Sequence, residues 1–537
     1  MSSLYIIQGP NELHIEPSDK KNYVYRFGIP EVTGEQFVDI NCSKKLDRKA
    51  EQIRDSYVKW IAGINSLFLS RNLVHQSVSL FYFTDLSCKR TEIFDTFSIV
   101  VNILVIKDAV WDQDLEEIHL IGVSSQFSDA IRFVFPKTRI IEDYRRQSRK
   151  PWVRTILSDV RYYAEMFTVG LLNYFISSRK KVPDQIIGRC FFSIFPTMLQ
   201  SDGLDKKYGT LVDVNDTYAL SVITDGYHQH YGVWKYFSIR KNVVKNKFYV
   251  IDDYIRMTDG ILGVWQAFKL WTNARSLMRS KKYFEGVDLT SSIAQEVIIS
   301  LSRAGRLSAY SNCLARFLNK VHISEFVYYL HEYPLGRMIS WVIATQQRKI
   351  KSVGMQHGPA SWRKLLYFLT VDESAANTNW WRNVPIPDEI WAEDNESAEI
   401  YHHAGYNNVL VLPRIYRLAY LEGISIECRQ EYALVAPGLH DGESMLFCMK
   451  PIFEKYPNVK FLIRSHPLSG AKYLKQFDHI SNLSVSKEII SDLLSRVGAV
   501  YVTYSSVGIE ARSLGLPVFV VSIPGVINQS PLIDNDH

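Results

Sequence analysis

The side chains of this 537-residue sequence that could do chemistry sit in short polar clusters, each directly after an apolar run. In AVYVTYSSVGIEARSLGLPV (499–518) the apolar run ends in Ser505 and Ser506, Gly508 lets the backbone approach a ligand, and IEARSLG reads as a helix. The first amides of a helix lack intrahelical partners, so two hydroxyls at its mouth suit a phosphate, and Glu510 one turn in suits a ribose. The plainer alternative is a serine that only caps the helix. In VKFLIRSHPLSG (459–470), Pro467 fixes His466 beside Arg464, and an imidazolium there would donate to a phosphate oxygen. The alternative is a surface loop. In ALVAPGLHDGESM (433–445), Gly438 and Gly442 free a loop that carries His440, Asp441, Glu443 and Ser444. A carboxylate there can act as nucleophile or base at an anomeric carbon; the alternative is an Asp-Gly turn capping the next helix.

Two earlier clusters have the same form. YYLHEYPLGRM (328–338) presents His331 and Glu332, and GMQHGPASW (354–362) presents Gln356, His357 and Gly358. Glu332 or His357 would serve as a general acid/base, and a buried, satisfied polar pair is the alternative. The loops SDGLDKKYGTL (201–211) and ITDGYHQH (223–230) could hold an acceptor. Other chemistries lack their residues. No GxxxxGK[ST] or GxSxG occurs, and His402-His403 stands outside any HExxH pattern. No carboxylate cluster commits the chain to a divalent metal, so neither a metal site nor a cofactor is expected.

The elements that must position these residues read as a strand-then-helix rhythm, the pattern of parallel α/β architecture. Strands are expected at 77–83, 97–106 and 117–123, with a long helix over Lys44–Ser70. A second group covers 185–195, 217–224, 247–254, 324–332 and 349–357, and a third runs from PDEIWAED to LGLPVFVVS. Prolines in VPIPDEI (384–390) suggest a boundary. The expected domains are therefore an N-terminal α/β extension (1–150), an acceptor-side Rossmann-like domain (151–390) and a nucleotide-sugar-binding Rossmann-like domain (391–537). Ligands should bind outside the carboxyl ends of the strands. The short tail after the last strand leaves little for a closing helix.

Composition bounds the rest. Hydrophobic residues make up 47% and charged residues 22%, which excludes wholesale disorder. Six scattered cysteines argue against a disulfide framework or a cysteine zinc site. A net charge of +6 requires no nucleic-acid partner. Basic runs at 144–152 and 178–182 bracket an aromatic-rich stretch whose apolar part is too short to span a bilayer. Such a helix could lie on an anionic cytoplasmic leaflet, or be a core helix with solvated ends. With no secretory signal in MSSLYIIQGPNELHIEP, a cytoplasmic protein is expected, peripheral at the inner face of the plasma membrane if that helix docks.

Taken in order, LVAPGLHDGES, FLIRSHP and YSSVGIEARSLGLPV resemble the donor half of bacterial GT-B glycosyltransferases that use CMP-activated sugars. These include capsule and lipopolysaccharide Kdo transferases and the sialyl- and polysialyltransferases with HP and SS/ST motifs. The likeness covers roughly residues 320–525. It implies twin Rossmann domains facing a cleft, with Arg464, His466, Pro467, Ser505, Ser506, Gly508, Glu510 and Gly438 around the nucleotide-sugar. It implies Asp441 as nucleophile at C2 of a CMP-activated ulosonic acid, Glu443 as reserve, and retention, with inversion the alternative should Asp441 be only structural. Relatives carry an acidic turn where this chain has Gln356-His357-Gly358, so the acid/base role passes to His357 or Glu332. The acceptor implied is a glycan or lipid-linked glycan of surface polysaccharide assembly. The rival readings are a CDP-glycerol-type glycerophosphotransferase and a non-catalytic GT-B scaffold.

Overall fold

A computed structural model of the chain describes residues 2–9, 21–28, 37–143, 151–176, 187–195, 205–212, 216–221, 248–375, 379–426, 429–466, 469 and 471–533. The amino-terminal strands β1 (Ser2–Gln8), β2 (Lys21–Phe27), β3 (Phe37–Asp39), β4 (Leu115–Ile121) and β5 (Arg139–Asp143) form a parallel sheet in the order β3-β2-β1-β4-β5. Helices α1 (Ser43–Gly63), α2 (Asn65–Leu69), α3 (Thr96–Ala109) and α4 (Ser125–Val134) accompany it. The run 97–106, expected as a strand, is α3. Its side chains are buried nearly all round, so the apolar run shows no helical period and reads as a strand. Likewise 77–83 is a two-residue strand followed by a 3-10 turn.

The middle of the chain holds α5 (Pro151–Ile176), β6 (Ile187–Ile194), β7 (Thr217–Ser221), β8 (Tyr249–Val250), α6 (Met257–Arg279) and α7 (Thr290–Lys320). It continues with β9 (Ile323–Tyr328), α8 (Pro334–Ala344), β10 (Lys351–Met355), β11 (Glu389–Ala392), α9 (Asn395–His403) and β12 (Val409–Val411). The seven strands run parallel in the order β8-β7-β6-β9-β10-β11-β12. The expected break at 390 falls inside β11. The sheet changes between Val411 and Arg429, because β11 pairs onto β10 despite the prolines before it, and β12 pairs onto β11.

The third sheet comprises β13 (Arg429–Ala436), β14 (Lys460–Ile463), β15 (Leu483–Val485), β16 (Val497–Val502) and β17 (Val518–Val520), parallel in the order β15-β14-β13-β16-β17. Helix α10 (Gly442–Lys455) follows β13 and α11 (Val507–Ser513) follows β16. All three sheets share one winding: the chain steps outward over three strands, returns, and steps out the other way. Each therefore has a switch point, at β1/β4, β6/β9 and β13/β16, where loops diverge and a ligand crevice opens.

One hydrophobic core runs through the first two sheets, from Leu4 and Tyr25 to Phe326 and Tyr401, so the described residues up to Asp143 are built into the second sheet's unit. The third sheet has its own core on either face. The segment after β17 runs back as a strap: Pro524 accepts from the Gly28 amide, Gly525 from the Asn102 side chain, and the Asn528 amide donates to Asp47.

Candidate active site between the second and third sheets

Asp441 stands at the start of α10, beside the β13/β16 switch point, and its side chain makes no capping hydrogen bond. Both carboxylate oxygens are buried without a hydrogen-bond partner, though the Thr503 hydroxyl stands near enough to favour the anion. Burial pushes the carboxyl above its ordinary range, opposed by Thr503, the Gly438 backbone and His440. The Gly438 amide donates to the Thr503 hydroxyl at 3.1 Å. A Cβ on Gly438 would lie 2.5 Å from the Tyr504 ring, so this glycine is what lets Tyr504 lie over the β13 loop. Burial and then Asp441 push the Tyr504 phenol up to about 12. Glu443 points elsewhere: its carboxylate accepts from Gln476 at 2.5 Å on an exposed surface.

The other strand ends fit the expectations unevenly. His466 is exposed after β14, and burial, then His440 and Lys207, lower its pKa. Arg464 is half-buried beside it, its amide donating to the Val435 carbonyl at 2.9 Å. Pro467 lies outside the described residues. The free amides expected at the start of α11 are not free: those of Gly508, Ile509 and Glu510 donate to the Ser505 and Ser506 carbonyls at 3.0–3.2 Å. Ser506 donates to Glu510 at 3.3 Å instead of capping, and the Val507 amide reaches Ser505 Oγ at 3.5 Å. Gly508 serves packing, since a Cβ there would meet Leu532 at 2.8 Å and Val502 at 3.1 Å. Glu510 is buried against Tyr420 and Arg417.

Across from these, the second sheet presents Glu332 after β9 and His357 after β10. Glu332 is fully buried; it accepts from Tyr401 Oη at 2.6 Å and lies 3.3 Å from His331 Nε2 and 3.8 Å from His357 Nδ1. Burial, then the cations Lys207 and Lys364, hold His357 well below its ordinary pKa, and burial lowers His331. Gln356 ties the end of β10 to Glu393 and Ser397, a structural role.

Lys207 joins the two sides. Its ammonium donates to the His357 carbonyl at 3.0 Å, and its charge is felt by both His357 and His466. Burial lowers its pKa to about 8. Glu393 and Arg417 form a nearly buried two-pronged ion pair at 2.6 and 3.0 Å, and Glu92 from the amino-terminal unit acts on Tyr504. None of these four residues stands out in the sequence. Lys207 lies in the 201–211 loop expected to hold an acceptor; nothing in the pattern around Glu92 points here. Among the described residues no group of three or more His, Cys, Asp or Glu could hold a metal ion.

The sequence matches no protein-family model and no curated protein. Among solved structures, UDP-GlcNAc 2-epimerase from Neisseria meningitidis bound to UDP-GlcNAc is 10% identical over 62% of this chain and 82% of its own, with a TM-score of 0.34. The glycosyltransferase SnogD from Streptomyces nogalater is 12% identical over 63% and 81%, at 0.31. The wall teichoic acid polymerase TagF is 13% identical over 70% and 79%, at 0.28. Overlaps this low carry no argument about this chain's activity.

Proposed function

We propose that the second and third sheets form a GT-B-like pair and that the chain is a glycosyltransferase using a CMP-activated ulosonic acid, Kdo or a sialic-type sugar. The observation that carries the reading is Asp441: a buried carboxylate with no hydrogen-bond partner, at a switch-point crevice, next to His440, which acts with Lys207 on His466. A carboxylate that only caps a helix would be bonded to it, and this one is not.

In this reading the nucleotide lies over the β13–β14–β16 ends. Arg464 and His466 meet its phosphate, the Ser505 and Ser506 hydroxyls bound the same crevice, and Glu510 backs it through Arg417 and Tyr420. Asp441 attacks C2 of the sugar as CMP departs, and an acceptor hydroxyl then displaces Asp441, with retention. Burial sharpens the nucleophile, because a poorly solvated carboxylate has little water to shed. The Glu332–His357 pair, with His357 neutral near pH 7, takes the acceptor's proton. The acceptor is a glycan of surface polysaccharide assembly, free or carried on lipid, so an anionic membrane surface would bring the enzyme to it.

Binding and hydrolysis of CMP-Kdo, CMP-sialic acid, CDP-glycerol and UDP-sugars test this. One CMP-sugar should bind, weaken with His466→Ala, and still bind Asp441→Asn while its turnover falls by roughly 10³-fold or more. Turnover of CDP-glycerol alone, or binding of UDP-sugars alone, defeats the donor assignment. Undiminished turnover in Asp441→Asn defeats the nucleophile.

A further inference from the structure

Helices α5 and α6 pack side by side and antiparallel through glycines. A Cβ on Gly260 would meet the Phe167 amide at 3.0 Å, one on Gly263 the Tyr163 ring at 2.5 Å, and one on Gly170 the Arg256 carbonyl carbon at 2.4 Å. The pair is anchored inward by α7, where Asp159 pairs with Arg306 and Asp259 with Arg316. Outward it presents large apolar side chains. On α5, Leu157, Val160 and Phe167 follow helical spacing, at 63%, 62% and 39% exposure. On α6, Ile261, Trp265 and Phe268 are 59%, 65% and 59% exposed, and the last two rings stack at 5.9 Å. So many exposed apolar side chains on neighbouring helices mark an interaction surface.

Its charge is one-sided. The exposed charged residues described on the two helices are all arginines, Arg154, Arg161, Arg275 and Arg279, and the exposed Arg256 stands just before α6. The described carboxylates are taken, Asp159 and Asp259 inside and Glu165 by Arg161 at 3.3 Å. No helix among the described residues is long and apolar enough to cross a membrane. An apolar, aromatic face rimmed by arginine is what lies in the headgroup layer of an anionic bilayer. A two-fold pairing of two copies through this face would bring one arginine rim against the other.

We infer that the outward face of the α5–α6 pair docks the protein on an anionic lipid surface, with the aromatic residues in the acyl boundary and the arginines at the headgroups. This stands apart from the donor chemistry and is read without it. The test is flotation of the full chain with vesicles of phosphatidylcholine alone and of phosphatidylcholine mixed with phosphatidylglycerol. The chain should float with the anionic vesicles, less so as salt is raised, and hardly with the neutral ones. Trp265→Ser/Phe268→Ser and, separately, Leu157→Ser/Val160→Ser should weaken flotation about tenfold or more while Tm holds, since these side chains are exposed. Arg275→Glu/Arg279→Glu should abolish the preference for phosphatidylglycerol. No flotation of the wild type, or unchanged flotation of both apolar variants, overturns the inference. So does sedimentation showing a dimer that these variants split, which would make the face an interface between copies.

Discussion

Burial around Glu332 sets a pH dependence that individual side chains carry. His331 and His357 are both held below the ordinary histidine pKa of 6.5, first by burial and, for His357, next by the Lys207 charge. Between the depressed folded values and about 6.5 the unfolded chain binds protons that the folded chain does not. Their contribution to stability is therefore full above 6.5 and is lost as pH falls through the folded pKa. Thermal unfolding should show Tm declining as the pH is lowered from neutrality, and His357→Asn should flatten that limb. Tyr401→Phe should cost about 1–3 kcal/mol in urea unfolding, because it takes the 2.6 Å donor from a fully buried carboxylate. The polar types at these strand ends were legible in the sequence, since a polar cluster after an apolar run has few other places to go. Which of them are bonded was not. Asp441 and Glu443 are two residues apart in one motif, yet one is buried without a hydrogen-bond partner and the other is held by Gln476, a residue remote in sequence.

Among elements, α3 and α7 hold the clearest conflict between local pattern and packing. The apolar run 97–106 has the composition of a strand, yet it is a helix buried on nearly every side, so no polar face gives it a helical period. The strands of the second and third sheets are plainer in the sequence, since short apolar runs ending in Gly, Pro and polar residues carry their own boundaries. Opposite α3, Glu296 on α7 is buried and accepts from the Thr96 hydroxyl. Burial pushes its carboxyl up to about 8, with Asp95 and Asp85 adding to the rise. A raised pKa means the folded state holds a proton that the unfolded state releases, so the stabilisation is full below about 4.5 and is lost as pH climbs to 8. Across that window stability should fall by roughly 1.4 kcal/mol per pH unit from this group. Glu296→Gln keeps an acceptor for Thr96 and cannot ionise. Urea unfolding at pH 5 and pH 8 should show the variant gaining on the wild type at the higher pH. An unchanged difference between the two would mean that Glu296 is ionised in the fold.

At the scale of the molecule, the candidate site has walls from two separately cored units, so its geometry depends on what ties those units together. The amino-terminal residues looked like an extension because nothing in their sequence marks the core they share with the second sheet; that core is made of contacts remote along the chain. The tie to the third sheet was equally hidden, since it consists largely of backbone groups in the strap after β17. Arg363, almost fully buried, holds the strap from the second sheet's side. It donates to the Asn528 carbonyl at 2.5 Å and the Ser530 carbonyl at 3.4 Å, and pairs with Glu51 at 2.5 Å. Arg363→Met keeps most of the volume and removes all three bonds. It should cost about 2–4 kcal/mol, the range for stripping a buried charge of its partners and leaving carbonyls unpaired. The loss should also be local. Hydrogen exchange should quicken in the strap and in β13, β14 and β16 while β1, β4 and β9 stay protected, and urea unfolding should split from one transition towards two. The donor should bind the variant more weakly, because His466 and Lys207 no longer hold their spacing. A uniform loss of protection across all three sheets would show instead that the units unfold as one, and that the strap is a consequence of their docking and not its cause.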